Sequence, residues 1–474
     1  MSRVVVVGYG MAGARCAAEL RALGSVKVTV LGAEQHQAYN RILLSSLLAG
    51  KVTEAGIALA DGGVDAELGT EVTAIDTAGK TVTTADGELH DYDHLVLATG
   101  SHAWIPPLPG IDPDDLPDRV SVFRTLDDCR RILADAEGAE RALVLGGGLL
   151  GLEAARGLAA RGLAVEVVHP MGFLMERQLD NGASEVLVAT LAGHGIGVHL
   201  EAMGASFAQT PDGVVLTLTD GRELRADLLV LACGVRPETS LARAAGLTVD
   251  RGVVVDDRMR TSDPDISAIG DCAQHREGLS GLVAPAWAQA SVVARILTGT
   301  DPDAIYRAAP LITRLKATGI DLAAMGTLSG DDCSAHTEDL RFADPSRGTY
   351  ARLRIRDGRV TGAVLLGDNP SVGQVIQLFD RGAQVPADRR ALLLGRTLGG
   401  SDAVEAVTPA LMPDAATVCQ CNTVTKGAII RAWQGGAHDI ADVAACTRAT
   451  TGCGSCVDAV GGILGWLATQ GVAS

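Results

Sequence analysis

The chain has 474 residues, enough for about three or four domains of ordinary length. Its formal net charge of −17 argues against a nucleic-acid partner and against an anionic membrane surface, because both attract a basic face. No apolar run approaches the ~18 residues of a membrane span, and the apolar start leads into a glycine motif rather than a cleavage site. We therefore expect a cytoplasmic protein with no nucleic-acid and no membrane partner.

The first predicted element is a buried strand that leads through a glycine turn into an alanine-rich helix. The segment reads VVVVGYGMAG over residues 4–13. In this G-x-G-x-x-G pattern the first glycine permits a tight bend, the second lets the backbone approach a diphosphate, and the third lets helix and strand pack closely. The diphosphate would lie on the N–H groups of the helix N-terminus. The candidate binding residues of this turn are Gly8, Gly10, Met11, Ala12 and Gly13.

An acidic residue follows the next predicted strand, residues 28–31. Glu34 lies 21 residues after Gly13, the spacing at which a carboxylate bonds a ribose hydroxyl of a bound dinucleotide. The alternative interpretation is a solvated acid in a loop. We favour the ribose ligand because the spacing fits.

The strand, turn and helix recur 138 residues later as ALVLGGGLLG over residues 142–151. The strand-like segment 93–100 is likewise echoed by residues 227–234. Two fingerprints, each with a matching downstream strand, are much more specific than one, and they predict two complete Rossmann-like domains in an α/β fold. The candidate nucleotide-binding residues of the second copy are Gly146, Gly148, Leu149, Leu150, Gly151 and Gly234.

The second copy differs from the first at the end of its second strand. Residues 165–168 end at His169 rather than at an acid, and the first arginine after it is Arg177. A carboxylate at the strand end would favour a free ribose 2′-hydroxyl, and a nearby arginine a 2′-phosphate. We place His169 at the nucleotide site and favour NADH, with NADPH left open.

Cysteines are concentrated near the C-terminus, where five of the ten lie between residues 419 and 456. A C-x-C and a C-x-x-C pair each present two sulfurs from a tight loop, which suits an iron–sulfur cluster or a four-cysteine zinc site. The candidate metal ligands are Cys419, Cys421, Cys453 and Cys456. We expect Cys446, which lies outside both pairs, to be a buried free thiol. Short helices are predicted over residues 425–433 and 439–446.

The order of these motifs resembles the pyridine-nucleotide-dependent flavoprotein oxidoreductases, of glutathione-reductase-like fold, over residues 1–305. In that family the first fingerprint binds FAD, the inserted second one binds NAD(P)H, and the chain returns to the FAD domain at a Gly-Asp motif. Here that motif is Gly270-Asp271, so the resemblance implies that Asp271 bonds the ribityl chain. It also assigns Val72, Thr99 and Gly100 to FAD.

Residues 39–45 resemble the flavin portion of assimilatory nitrite and nitrate reductases, which implies that Arg41 and Ser45 lie by the flavin. The alternative for Arg41 is an exposed surface arginine. Relatives place the equivalent of Glu153 near the nicotinamide amide, although an ordinary first-turn helix acid is an equal alternative. Lys316 matches a lysine near the flavin with a possible catalytic role, and its alternative is a solvated charge.

No cysteine occurs between Ala17 and Asp128, where disulfide reductases of this family carry their redox-active thiols. The chain therefore lacks the thiolate that would relay electrons to a disulfide substrate. Residues 415–474 resemble bacterioferritin-associated ferredoxin, which binds a [2Fe–2S] cluster through C-x-C and C-x-x-C. This resemblance favours iron–sulfur over zinc.

The predicted organisation has two Rossmann-like domains, a small α+β interface domain and a small helical iron–sulfur domain. The limits are residues 1–115 and 235–305 for a discontinuous FAD domain, 116–234 for the NAD(P)H domain, 306–370 for the interface domain, 371–413 for a helix and linker, and 414–474 for the [2Fe–2S] domain.

These features predict an NADH-oxidising electron-transfer flavoprotein, in which FAD passes electrons through the cluster to a separate catalytic subunit. Because the sequence ends 18 residues after Cys456, before any sirohaem domain, the resemblance favours the electron-transfer subunit of an assimilatory nitrate reductase with a molybdenum-containing partner. Alternatives are a reductase for another acceptor such as nitrite, an amine or amino-acid oxidase subunit of the hydrogen cyanide synthase or opine oxidase kind, and a non-enzymatic module stapled by zinc.

Overall fold

The computed structural model describes residues 1–59, 63–308, 310, 312–317, 319–328, 336–369, 371–394, 409–419, 424–450 and 456–470. The chain divides into two compact units. The first comprises residues 1–44, 52–104 and 234–309, and the second residues 45–51, 105–233 and 310–474.

The secondary-structure elements are numbered in chain order. The strands of the first part are β1 Ser2–Val7, β2 Val26–Gly32, β3 Ala66–Leu68, β4 Val72–Asp76, β5 Thr81–Thr84, β6 Leu89–Asp91, β7 His94–Leu97, β8 Ser101–Ala103, β9 Val120–Val122, β10 Arg141–Leu145, β11 Ala164–Val168, β12 Ile196–His199, β13 Gly204–Thr210 and β14 Gly213–Leu218. The later strands are β15 Glu223–Ala226, β16 Leu228–Leu231, β17 Val235–Pro237, β18 Val253–Val254, β19 Ile266–Ala268, β20 Ala273–Gln274, β21 Ile312–Ala317, β22 Ile320–Gly326, β23 Thr337–Asp344, β24 Thr349–Arg356, β25 Arg359–Leu366, β26 Thr417–Cys419 and β27 Val424–Thr425. The helices are α1 Met11–Leu23, α2 Leu44–Leu48, α3 Glu54–Ile57, α4 Leu126–Asp135, α5 Leu149–Ala160, α6 Asn181–Gly193, α7 Ser240–Ala244, α8 Val283–Leu297, α9 Val372–Arg381, α10 Ala391–Leu394, α11 Lys426–Gln434, α12 Ile440–Thr447 and α13 Val457–Gln470.

The first unit is built on a parallel sheet in the order β19-β7-β1-β2-β3. Strand β1 carries four consecutive valines, all no more than 5% exposed, as expected for a strand covered on both faces. Helix α1 follows the glycine turn and packs against α8, where the Trp287 indole N–H donates to the Met11 carbonyl over 3.1 Å. The predicted strand, turn and helix are confirmed.

The second unit contains an equivalent parallel sheet in the order β12-β11-β10-β16-β9. In both sheets the strand before the glycine turn lies between its successor and the later strand that the sequence repeat identified. The α/β fold with two Rossmann-like sheets is therefore confirmed. Both turns follow the carboxyl ends of parallel strands, where dinucleotides bind in folds of this type.

An antiparallel sheet, β21-β22-β25-β24-β23, follows in the second unit, and α9 packs on it. Asp180 ties this sheet to α6 within that unit. Its carboxylate accepts from the Ala183 N–H at the start of α6, from the Tyr350 hydroxyl at 2.7 Å and from the Arg352 guanidinium at 2.8 Å. One side chain thus caps a helix and anchors a strand.

The C-terminal segment combines the short β26-β27 ribbon with α11, α12 and α13. Helices α11 and α12 confirm the two short helices predicted there. Lys426 is buried in this segment, where its ammonium donates to the Met412 carbonyl over 2.7 Å and lies 5.0 Å from the Trp466 ring centre. A buried lysine needs such partners, because desolvation disfavours its charge. Among the described helices, none is both long and apolar enough to traverse a lipid bilayer.

Candidate cofactor-binding and cluster sites

The first glycine turn has two crowded glycines and one open glycine. A Cβ on Gly8, whose φ is 104°, would lie 2.3 Å from the Ala98 carbonyl oxygen, and one on Gly13 would lie 1.9 Å from the Gly8 oxygen. Among the described residues, a Cβ on Gly10 would meet only the Arg41 guanidinium, at 3.8 Å. The second glycine therefore exposes the backbone at the N-terminus of α1, which fits a diphosphate.

Arg41 lies over this open glycine within a small charged group. Its guanidinium donates to one oxygen of Glu34, and the Tyr39 hydroxyl donates to the other over 2.7 Å. Burial works against the charge of Arg41, but the neighbouring Tyr39 and Glu34 raise its pKa above the ordinary value. Glu34 thus contacts Arg41 directly as well as standing at the predicted ribose position. The cation is held where an anionic cofactor would meet it.

Asp271 and the loop after β7 come together because β19 and β7 are neighbours in the sheet. The Ser101 hydroxyl donates to the Asp271 carboxylate over 2.9 Å. The Thr99 hydroxyl donates to the Glu238 carbonyl over 2.9 Å, and Gly100 adopts a φ of 74°. The structure therefore clusters three of the predicted FAD residues at one edge of the sheet.

Two other predicted FAD residues lie elsewhere along the chain. Val72 begins β4 and is 9% exposed, and Ser45 is buried on α2. Met11 and Ala12 form the first turn of α1. The FAD contacts of all these residues stay predictions.

The second glycine turn repeats the first almost atom for atom. A Cβ on Gly146 would lie 2.3 Å from the Ala232 oxygen, and one on Gly151 would lie 1.9 Å from the Gly146 oxygen. A Cβ on Gly148 would meet none of the described residues within 4 Å. The open second glycine at the N-terminus of α5 fits a second diphosphate. Leu149 and Leu150 begin α5, and Gly234 follows β16 with a φ of 108°.

Glu153 lies on α5 and is buried, with 7% of its surface exposed. Glu153 also lies beyond the first turn of α5, so the alternative of an ordinary first-turn helix acid is wrong. Its role toward the nicotinamide stays a prediction. Lys316 lies in β21, opposite Asp321 in β22, and its side chain lies outside the described residues.

His169 is buried behind the second turn. Its Nδ1 accepts from the Gly147 N–H over 3.1 Å, and its Nε2 lies 3.2 Å from the carboxylate of Glu176. Glu176 was missed in the sequence because it lies eight residues beyond the end of the strand at Val168. Tyr39 and Ser101 were missed as individual residues for a similar reason: their partners are known only once the fold brings distant segments together.

Two of the four predicted metal-ligating cysteines are among the described residues, and their role as ligands stays a prediction. Cys419 ends β26 and is 1% exposed, and Cys456 immediately precedes α13 and is 3% exposed. The Cys456 carbonyl accepts from the Val460 N–H over 2.8 Å, which joins this predicted ligand to the start of the helix. Cys421 and Cys453 lie outside the described residues.

The prediction that Cys446 is buried is wrong, because its side chain is exposed. It belongs to the apolar run from Val443 to Cys446 on α12. Val443 is the buried residue of that helix. Cys446 lies near the end of α12, just before the chain turns at Arg448 with a φ of 64°. An apolar run in a small helical domain is therefore a poor guide to burial.

Two glycine turns that each expose a helix N-terminus, an arginine over the first of them and a C-terminal cysteine domain define an FAD-dependent NAD(P)H oxidoreductase with an iron–sulfur domain. The chain belongs to the pyridine nucleotide-disulphide oxidoreductase family, whose profile matches residues 2–290. Residues 312–381 match the rubredoxin NAD+ reductase C-terminal domain, and residues 417–466 match the BFD-like [2Fe-2S] binding domain. Its cofactors are FAD, NAD(P)H and a [2Fe–2S] cluster.

The chain is similar to a nitrite reductase and to a subunit of an assimilatory nitrate reductase. It is 36% identical over 471 residues to the nitrite reductase [NAD(P)H] of Bacillus subtilis, covering 98% of this chain and 57% of that protein. It is 35% identical over 474 residues to the assimilatory nitrate reductase electron transfer subunit of the same organism, covering 98% and 60%. The chain thus spans a little over half the length of these relatives.

Among solved structures, the chain is similar to a chain in the crystal structure of the covalent putidaredoxin reductase–putidaredoxin complex. The TM-score is 0.73 at 27% identity, over 82% of this chain and 95% of that chain.

Proposed function

We propose that this chain oxidises NADH and passes the electrons from FAD, through its [2Fe–2S] cluster, to the separate catalytic subunit of an assimilatory nitrate reductase. The observation that carries the proposal is the similarity over 98% of the chain to an electron transfer subunit of that system. The domain limits and site residues predicted above are part of the proposal.

FAD when bound accepts a hydride and releases electrons singly, and a [2Fe–2S] cluster carries one electron at a time. The chain's own residues position these groups. Gly10 and Arg41 hold the FAD diphosphate, Asp271 with Ser101 orients the ribityl chain, and Gly148 admits the diphosphate of NADH to the N-terminus of α5. Cys419 and Cys456, with the two cysteines outside the described residues, hold the cluster.

The described cysteines of the first unit do not support a route through a thiolate. Cys16 and Cys272 are both 0% exposed, and burial raises the pKa of each thiol. Cys272 also donates to the Leu97 and Ile269 carbonyls. A neutral, enclosed thiol is a poor nucleophile, so the cysteine pairs of the C-terminal domain supply the exit for electrons.

A second candidate acceptor is the catalytic part of a nitrite reductase. The similarity to a nitrite reductase is as high as that to the nitrate system, at 36% against 35% identity. The flavin and cluster chemistry is common to both proposals, and only the partner differs.

Reconstitution distinguishes the two acceptors. The purified holoprotein is mixed with NADH and either the molybdenum-containing nitrate reductase subunit or the sirohaem-containing nitrite reductase part of the same organism. We expect nitrite to form from nitrate in the first mixture. Ammonium formation in the second mixture alone would transfer the assignment to nitrite.

The donor is tested separately by anaerobic bleaching of the flavin. NADH should bleach the flavin within a single turnover, whereas glycine and opines should not bleach it. Bleaching by an amine but not by NADH would overturn the proposal in favour of a substrate oxidase.

A further inference from the structure

We propose that Glu176, held by the buried His169, supplies the carboxylate of the adenosine-ribose site in the second fingerprint and selects NADH against NADPH. The proposal rests on the proposed function, because it takes the second glycine turn to bind a pyridine nucleotide. It deepens that function by naming the donor and the residue that chooses it.

In a dinucleotide-binding domain the adenosine ribose lies beyond the end of the second strand, where an acid commonly bonds the 2′-hydroxyl. Here that strand is β11, and the next residue is His169. Its side chain is 6% exposed, so the ring does not replace the missing acid as a surface ligand. The contacts of the two ring nitrogens instead identify Glu176 as the acid near this position.

The Nδ1 atom of His169 accepts a hydrogen bond from the Gly147 N–H, so the proton of the neutral ring is on Nε2. This buried Nε2 has no hydrogen bond of acceptable geometry within the described parts of the chain. The carboxylate of Glu176 lies 3.2 Å from it but off the line of the N–H. A buried donor without an acceptor is costly, and a small rotation of Glu176 would satisfy it.

The backbone around Glu176 is fixed against the glycine turn. The preceding residue, Met175, is 1% exposed and adopts a left-handed φ of 50°, which is uncommon outside glycine. Its N–H donates to the Gly147 carbonyl over 3.0 Å. Two later N–H groups, of Gln178 and Leu179, donate to the Met175 carbonyl. Glu176 therefore follows an anchored turn, although it lies eight residues beyond the strand.

The packing around Gly147 also places the loop that carries Glu176 against the glycine turn. A Cβ on Gly147 would lie 2.5 Å from the Leu174 side chain and 2.7 Å from the His169 ring. The loop after β11 thus closes directly onto the middle of the fingerprint. Glu176 keeps 32% of its side chain exposed at the rim of this closed loop, so it can bond His169 with one oxygen and a ribose hydroxyl with the other.

Charge completes the selection. From His169 to Glu176 the sequence contains no lysine and no arginine, and Arg177, the next residue, is exposed. The 2′-phosphate of NADPH would place a second anion beside the Glu176 carboxylate, and like charges at such a distance repel strongly when partly shielded from water. A 2′-hydroxyl instead donates to the carboxylate.

The test uses ADP-ribose and 2′-phospho-ADP-ribose, which carry the selective part of the two nucleotides without the nicotinamide. Binding of each to the FAD- and cluster-loaded protein is measured by calorimetry. We expect the wild type to bind ADP-ribose at least about tenfold more tightly, and Glu176→Gln to remove most of that ratio, as the loss of a hydrogen bond to a charged group predicts. The matched control is Arg177→Gln at the exposed neighbouring residue, which should leave the ratio unchanged.

His169 is tested as a positioning residue through steady-state kinetics. We expect His169→Asn to raise the KM for NADH about tenfold while kcat stays within about twofold, because the residue acts on binding through Glu176. His169→Gln, whose amide N–H can reach toward Glu176, should recover part of the loss. A fall in kcat with unchanged KM would contradict the positioning role.

Two results overturn the proposal by different routes. An unchanged binding ratio in Glu176→Gln would refute selection by Glu176 while leaving the proposed function intact. The same conclusion would follow if the wild type preferred 2′-phospho-ADP-ribose and Arg177→Gln lost the binding of that probe. A wild type that binds neither probe would refute the pyridine-nucleotide site, and the proposed function with it.

Discussion

Gly148 and Gly151 lie three residues apart in one turn, but their surroundings differ. We expect Gly151→Ala to unfold the second sheet region, because its Cβ would lie 1.9 Å from a carbonyl oxygen of the turn. Such overpacking against backbone costs about 3 kcal/mol or more. Gly148→Ala should fold normally and weaken NADH binding about tenfold, since its methyl would occupy the open face. Thermal unfolding and NADH titration measure the two effects.

Gly193→Ala is the matched control for both glycine variants. Gly193 is exposed at the end of α6, and a Cβ there would meet none of the described residues within 4 Å. It should leave NADH affinity unchanged and should not lower thermal stability, because alanine is the better helix former. If Gly148→Ala bound NADH as the wild type does, the open glycine would not be the diphosphate site.

Arg41 allows a parallel test of the first turn. We expect Arg41→Gln to weaken FAD binding by roughly 10- to 100-fold, because a charge-assisted bond to the diphosphate would be lost. Tyr39→Phe removes the hydroxyl bond to Glu34 but keeps the guanidinium, and it should have a much smaller effect. FAD affinity of the stripped protein, measured by flavin fluorescence, separates the two. Equal effects would mean that Arg41 acts through the loop structure alone.

At the scale of elements, Asp180 joins α6 to β24. We expect Asp180→Ala to destabilise the second unit by about 3 kcal/mol, since a helix cap and two side-chain bonds disappear together. Combined with Tyr350→Phe, it should show a coupling energy of about 1 kcal/mol in a double-mutant cycle. Asp388→Ala, which removes an exposed ion pair with Arg390, is the control and should leave the thermal midpoint unchanged. Strict additivity would contradict the Asp180–Tyr350 bond.

His94 in β7 makes the stability of the first sheet depend on pH. Burial lowers the pKa of His94 to about 4, while its Nε2 lies 3.0 Å from the Ser267 hydroxyl of β19. Below about pH 6.5 the unfolded chain takes up a proton that the folded chain refuses. Stability should therefore fall as the pH drops from about 6.5 toward 4, by about 2 kcal/mol at pH 5 from this residue.

The measurement compares denaturant unfolding of the first unit at pH 7.5 and pH 5. His94→Gln should lack this share of the pH dependence, whatever its absolute stability. His102→Gln, at an exposed histidine, should retain it. The same pH dependence in wild type and His94→Gln would show that other groups carry it.

Elements with a local signal were predictable from the sequence. The valines of β1 and the repeated pattern in β10 predict buried strands before glycine turns. The apolar spacing of α11 and α12 predicts these two helices. The Asp180–Tyr350 bond joins residues 170 apart, so no local pattern could reveal it. Glu176 was not predicted because the spacing rule considers only the residue at the end of the strand. Here the chain comes back to the glycine turn several residues later, at the left-handed residue Met175. The error at Cys446 arose from treating an apolar run as a buried one.

At the scale of the whole molecule, the proposal separates hydride acceptance from electron export. We expect Cys456→Ser to lose the cluster signal in the electron paramagnetic resonance spectrum, because a [2Fe–2S] cluster needs four protein ligands. Anaerobic bleaching of the flavin by NADH should remain within about twofold of the wild-type rate. Electron delivery to the catalytic partner should fall at least about tenfold.

Cys446→Ser is the control for that variant, since it changes an exposed cysteine of the same domain. It should keep the cluster signal and the delivery of electrons. A cluster that survived in Cys456→Ser but vanished in Cys446→Ser would reassign the ligand set.

Gly147 is enclosed by side chains of the loop that follows β11. The position between the first two glycines of a fingerprint is usually free to vary, but here Leu174 and His169 fill the space that a side chain would need. A mutation at any one of these three sites disturbs the other two. A side chain at position 147 would therefore require compensating changes at both Leu174 and His169, so this middle position of the turn accepts substitution only together with its neighbours.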